Sequence, residues 1–169
     1  MKTSTDRILT THVGSLPRPQ DVLDLLFAQD KSEPYDAAVF ESTMQRAVRD
    51  VVGTQTKTGL DIVNDGERAK ISYETYIRHR LNGFIMGSAP RATPQDLDDY
   101  PDYRDKIAAE GATPKYFRPI CRGEVSVKTL APLEADIARL KPAVAASPAT
   151  EGFMSTVSPG TIAVFQPNE

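Results

Sequence analysis

The sequence predicts an α/β fold of repeated β/α units around a parallel sheet, and three observations carry the prediction. A β-prone run opens the stretch from Ile8 to Pro19, then breaks at Gly14-Ser15 and at prolines 17 and 19. An amphipathic helical pattern over residues 36–58 stops at Gly59 and is followed at once by the apolar run Leu60-Asp61-Ile62-Val63. A second helical pattern over 132–146 leads into another β-prone segment that begins at Gly152. Helix, then glycine, then a short apolar strand is the rhythm of β/α units.

The totals set the outer limits. A chain of 169 residues suits one domain or a piece of a larger one, and is long enough to bury a core. Its 40% apolar and 25% charged residues, with a net charge of −3, give no reason to expect a nucleic-acid or membrane-surface partner. The single cysteine, Cys121, excludes an intrachain disulfide and a multi-cysteine metal site. The start, Met1 to Arg7, lacks the apolar core of a signal peptide, and no window reaches membrane-spanning length, so the cytoplasm is expected.

The elements follow in order. Val22, Leu23, Leu25, Leu26 and Phe27 group on one side of a short helix over 20–29. In the helix over 36–58, Phe40, Met44, Ala47, Val48, Val51 and Val52 recur at spacings of three and four, leaving Arg46, Arg49 and Asp50 opposite. Residues 60–67 form a second strand, apolar through Val63 and acidic at its end. Residues 72–81 form a helix with Tyr73, Tyr76, Ile77 and Leu81 in register. From about 87 to 115 the pattern is lost among prolines and aspartates, apart from a short helix near 103–109, which marks an irregular excursion. Residues 116–128 are β-prone. The helix over 132–146 carries Leu133, Ile137, Leu140 and Val144 on one stripe, with Pro142 expected to kink or shorten it. Residues 152–165 read as a strand broken at Ser158-Pro159-Gly160.

Chemistry is expected where strands end. His12, Ser15 and Arg18, with the backbone amides around Gly14, form a place to hold an anion; the plainer reading is a strand followed by a proline-rich turn. Glu67 follows an apolar strand and Asp65-Gly66, which puts a carboxylate at the C-terminal rim of a sheet or barrel; the alternative is a helix-start charge favoured by the dipole. Asn64 and Asp65 suit turn chemistry. His12 can be a ligand, a proton donor or a structural histidine, and His79 falls on a solvated helix face between two arginines. Cys121 is expected as a buried structural thiol. No phosphate-binding loop, dinucleotide fingerprint, nucleophile elbow or His-Glu-x-x-His motif occurs.

Thr10-Thr11-His12-Val13-Gly14-Ser15-Leu16-Pro17-Arg18-Pro19, together with Gly59-Leu60-Asp61-Ile62-Val63-Asn64-Asp65-Gly66-Glu67, resembles the cobalamin-independent methionine synthase superfamily. Cys121-Arg122-Gly123-Glu124 and Ser158-Pro159-Gly160 resemble segments of its short, single-barrel branch. The resemblance implies a (β/α)8 barrel related to the uroporphyrinogen decarboxylase fold, using zinc to activate a small thiol for methyl or alkyl transfer from a donor. Val13, Gly14 and Ser15 match the segment that holds the thiol substrate's carboxylate, and Glu67 matches the glutamate that contacts its amino group. His12 and Arg18 stand where methionine synthases carry uncharged residues, and an arginine there also suits a sulfonate or a second carboxylate.

Members of that branch have roughly twice as many residues, with their zinc ligands in the second half. The expectation is therefore a single domain over 1–169 forming the N-terminal half of a TIM barrel. Four strands and an added β-element near 118–128 are expected, with zinc ligands outside this chain. Such a half-barrel would pair with itself, or with a complementary chain supplying the second half. Two other readings remain beside the transferase: a non-catalytic remnant or assembly subunit, and a zinc-free decarboxylase-like barrel.

Overall fold

The structure is a computed structural model and describes residues 2–87, 95–109 and 119–169. It is a mixed α/β arrangement whose elements run α1 (Gln20–Asp30), α2 (Ala37–Lys57), β1 (Ile62–Asn64), α3 (Tyr73–Arg80), β2 (Phe84–Met86), α4 (Gln95–Asp98), α5 (Pro101–Ala109), β3 (Pro119–Cys121), α6 (Ala131–Ala145), β4 (Glu151–Phe153) and α7 (Pro159–Phe165). Among the described residues the sheets are small. β1 and β4 pair in parallel, Ile62 opposite Glu151 and Asn64 opposite Phe153. Thr11 adds a single parallel bridge to Ile62 on the other side of β1. β2 and β3 form a separate antiparallel pair.

Helix α2 holds these pieces together. Asp36 starts it by accepting hydrogen bonds from the amides of Ala38 (2.8 Å) and Val39 (3.0 Å), donors that a helix start otherwise leaves unpaired. Gly59, at φ +89°, turns the chain away after Thr58. All six apolar residues of the expected stripe are buried, while Arg46, Arg49 and Asp50 face outward. One end of the stripe packs Phe40, Met44 and Ala47 against Val22 and Leu26 of α1. The other packs Val48 and Val52 against Val63 of β1 and Leu140 and Ala143 of α6. The core therefore lies between the helices and the parallel strands.

Gln55 stitches helix to strand. Its Nε2 donates to the carbonyl of Asn64 (2.8 Å) and its Oε1 accepts from the amide of Asn64 (3.1 Å), so a side chain occupies the place of a neighbouring strand. Gly152 permits the other close approach: a Cβ there would lie 2.7 Å from Val144 Cγ2, so any larger residue would force the Val144 side chain or α6 to shift.

Several expectations are corrected. Residues 152–165 are not one broken strand: β4 ends at Phe153, and α7 begins at Pro159 with the Ser158 hydroxyl accepting from the amide of Thr161 (3.1 Å). Ser-Pro-Gly is thus a helix start, with proline in the first turn where its missing N–H costs nothing. Four parallel strands are not seen among the described residues, which give β1, β4 and the lone bridge at Thr11. α6 continues through Pro142 to Ala145, and of its expected stripe only Leu140 is fully buried, beside Asp136, Arg139 and Ala143. His79 is half-buried rather than solvated; burial, with the Arg78 charge next, pulls its imidazole below its ordinary pKa. Cys121 is half-exposed rather than buried. Within the excursion, 95–109 carries α4 and α5, and the rest of the region over 88–94 and 110–118 lies outside the described residues. The added β-element is present as β3, with Val127 bridging Leu81.

Replacing Gln55 by leucine keeps the apolar volume but strands a buried amide and a buried carbonyl of Asn64. The expected loss is roughly 2–4 kcal/mol of stability, read from urea unfolding. A midpoint equal to that of the parent chain would show that the strand does not depend on this side chain.

Candidate functional site

Asn64 organises the end of β1. It is 2% exposed; its Nδ2 donates to the carbonyl of His12 (2.5 Å) and its Oδ1 accepts from the amide of Gly66 (2.7 Å). The first contact ties β1 to the stretch after Thr11, and the second folds the chain into a left-handed turn. Gly66 (φ +56°) and Glu67 (φ +55°) are both left-handed. Asp65 continues the turn, accepting from the amide of Glu67 (3.1 Å). Arg18 closes it from the other side, donating to the Glu67 carbonyl through Nε (3.2 Å) and Nη2 (2.9 Å), and also to the Lys70 carbonyl.

This turn delivers the Glu67 side chain to two hydroxyls. Ser15 donates to Oε2, and Tyr73, at the start of α3, donates to Oε1. Glu67 is 5% exposed, whereas Ser15 is open to solvent, so the carboxylate sits at the foot of a recess with Ser15 at its lip. Burial, reinforced by the Glu67 carboxylate it faces, holds the Tyr73 phenol protonated far above its ordinary range. Tyr73 therefore acts as a hydrogen-bond donor and not as a base.

The recess is a cavity of about 270 Å³, walled by Ser15, Glu67, Ser72 and Tyr73 and, from the C-terminal segment, by Val157, Thr161 and Gln166. Ser15, Glu67 and Val157 each lie a few residues beyond one of the three parallel strand positions, at Thr11, Asn64 and Phe153. Convergence of loops at the carboxyl ends of parallel strands is the usual location of ligand sites in α/β sheets and barrels.

Beside the recess lies a buried chain of charges. Lys70 Nζ donates to Asp65 Oδ2 (2.6 Å) and lies 3.5 Å from Asp136 Oδ2 on α6. Asp136 also accepts from the Tyr76 hydroxyl (2.6 Å) and from Arg139 Nη1 (2.9 Å), and Arg139 reaches on to Glu41 of α2. Burial first, and the bond to Asp136 next, raise the Tyr76 phenol; the Arg139 contact lowers the Glu41 carboxyl. At the start of the sheet, Asp61 accepts from Arg7 Nη1 (2.8 Å) and from the Thr10 amide (2.9 Å), and its carboxyl is held well below the usual range, chiefly by Arg7.

Of the residues singled out from sequence, the structure brings Ser15 and Glu67 into direct contact and places Arg18 beneath the same turn. His12 Nε2 lies 3.0 Å from the Gly14 carbonyl, and Gly14 takes the positive φ (+104°) that lets Ser15 face Glu67. Val13 is 67% exposed and is not among the residues walling the recess. Among the described residues, no three side chains of His, Cys, Asp or Glu converge as a metal site. No helix among them is long and apolar enough to cross a membrane. Sequence patterns do not single out Tyr73, Lys70, Asp136 or Gln166 as site residues. Tyr73 sits within an apolar register, and Lys70 and Asp136 meet only through the fold.

No family model matches this sequence, and no curated protein matches it. Among solved structures, a B12-independent methionine synthase from Shewanella sp. W3-18-1, in complex with selenomethionine, superposes with a TM-score of 0.62 at 19% identity. The match covers 95% of this chain and 40% of the methionine synthase, so the chain spans less than half the length of the structure whose fold it shares.

Lys70→Met should be among the most damaging substitutions near the site, because it leaves two buried carboxylates, Asp65 and Asp136, without their shared cation. A loss of about 3–5 kcal/mol is expected in chemical unfolding. Lys70→Arg, which keeps the charge, should recover part of it. Equal stability of Lys70→Met and the parent chain would mean that neither carboxylate is ionised beside it.

Proposed function

We propose that this chain forms the thiol-substrate side of a methyl- or alkyltransferase, built as the N-terminal half of a (β/α)8 barrel over residues 1–169 and working in the cytoplasm. One observation supports the reading above others. The Ser15–Glu67–Tyr73 constellation stands where the ends of the parallel strands converge, in a fold shared with a methionine synthase that was solved with selenomethionine. In this reading Glu67 anchors the ammonium group of a small amino thiol, and the turn of Val13, Gly14 and Ser15 takes its carboxylate through backbone amides, the Ser15 hydroxyl being held by Glu67. His12 and Arg18 shape that turn. The thiol sulfur, as thiolate, then attacks the methyl carbon of a donor, forming a sulfur–carbon bond as the donor–methyl bond breaks. Zinc, when bound, supplies thiolate at neutral pH by lowering the thiol pKa. In this proposal its ligands come from outside the described residues.

The reading also bears on assembly. Among the described residues β4 pairs in parallel with β1 alone, so its other edge is left for further β/α units. A second half-barrel, from another copy or a complementary chain, is the proposed source of them. Sedimentation at micromolar concentration should show association, and a compact monomer that unfolds cooperatively would overturn this part of the reading.

Ser15→Ala and Glu67→Gln test the site itself. Each removes a hydrogen bond to a charged partner, so each should weaken binding of homocysteine or a related amino thiol by about tenfold or more, with little change in circular dichroism. Unchanged affinity in both variants, measured by calorimetry, would take these residues out of the site.

A further inference from the structure

The recess at Glu67 has an acceptor that nothing among the described residues satisfies. Gln166, the residue that ends α7, is 6% exposed. Its backbone amide donates to the Ile162 carbonyl (2.9 Å), but its side-chain Oε1 is buried and has no hydrogen-bond partner. A buried amide oxygen left without a donor costs free energy, and native proteins rarely leave one so without a reason. Gln166 walls the same cavity as Glu67. It also walls the adjoining cavity of about 440 Å³, beside Phe84, Cys121 and Ile162, and so stands at the boundary between the two.

The other groups in the recess say what kind of donor is missing. Glu67 is the one charged side chain among the described residues that wall it. The hydroxyl protons of Ser15 and Tyr73 are already directed at the two oxygens of Glu67. The recess is thus negatively charged and, at Gln166, short of a donor. A neutral hydroxyl would supply one proton and no charge, and a carboxylate at that point would supply no donor at all. An ammonium group carries three N–H donors and a positive charge, so it can serve the carboxylate and the amide oxygen together.

We infer that Gln166 is a specificity-determining residue, accepting a hydrogen bond from the ammonium group of the ligand that Glu67 binds. The inference rests on the reading of the recess as an amino-thiol site and adds to it a second, uncharged acceptor from the far end of the chain. The end of α7 brings Gln166 to the wall of the recess that Glu67 also walls.

Two matched pairs of probes test it by calorimetry on the full chain: L-homocysteine with 4-sulfanylbutanoate, and L-norvaline with pentanoate. Each pair differs by the amino group alone, and between pairs a thiol becomes a methyl. The parent protein should prefer the amino member of each pair. Gln166→Leu should reduce that preference about tenfold, the effect of one lost hydrogen bond to a charged group. Gln166→Glu, which keeps an acceptor and adds charge, should raise it. A purely structural glutamine would weaken amino and desamino probes alike, so an amino preference unchanged in Gln166→Leu overturns the inference. So does a parent protein with no amino preference. If circular dichroism shows that Gln166→Leu does not fold, Gln166→Glu decides: a raised preference for the amino probes supports the role, and an unchanged or lower one refutes it. Equal binding of L-homocysteine and L-norvaline would remove the thiol reading and leave the Gln166 assignment standing on the second pair.

Discussion

The fold near the site depends on how Asn64 is satisfied. Its backbone pairs with a helix side chain, Gln55, and its own side chain spans from the His12 carbonyl to the Gly66 amide. Helix α2, the stretch after Thr11 and the turn that carries Glu67 are therefore joined through one buried residue. Asn is suited to this because it offers a donor and an acceptor on a short, neutral side chain. An aspartate could not donate to the His12 carbonyl, and a leucine could do neither. With a parallel ladder only three residues long, such side-chain bonds supply registration that longer strands obtain from backbone pairing.

The charged chain from Asp65 through Lys70 and Asp136 to Arg139 and Glu41 has a related effect by different physics. Burying ions is unfavourable unless each is paired, so the network tolerates only arrangements in which the turn after β1, helix α6 and helix α2 all stand in place together. Apolar packing alone would permit small sliding of α6 over the sheet. The carboxylate of Asp65 serves both structures, since one oxygen takes Lys70 and the other takes the amide of Glu67. Position of the recess and docking of α6 are coupled through that single group.

How much of the fold is legible in the sequence follows from which forces act locally. Helix α2 is legible almost to the residue because its apolar period, its Asp36 start and its Gly59 stop all lie within one window. Ser15 and Glu67 stand out because both follow abrupt breaks in apolar runs. Helix α7 reads as a strand because Thr161, Ile162 and Val164 favour strands and Pro159-Gly160 looks like an interruption, whereas a Ser158 cap with proline in the first turn starts a helix. The stripe of α6 is only partly right, because the fold buries Asp136 and Arg139 where an apolar count would not. Pairings such as Tyr76 with Asp136, and the unsatisfied oxygen of Gln166, depend on residues distant in sequence and leave no mark in any short window.

The backbone at Glu67 joins this local architecture to function. A left-handed conformation costs a residue with a Cβ about 1–2 kcal/mol, and a glycine at this position would remove that cost. Glutamate is present nonetheless, held by Arg18 at its carbonyl, Asp65 at its amide, and Ser15 and Tyr73 at its carboxylate. In the preceding position, by contrast, the chain does use glycine, where a Cβ would meet Val51 Cγ2 at 3.0 Å. Had the turn only to reverse the chain, two glycines or Asn-Gly would serve with less strain. What glutamate adds is a carboxylate aimed into a recess and held in place from both ends of the residue before any ligand arrives. Strain that the surroundings over-determine in this way fits a group kept for its direction, which is the role proposed for Glu67.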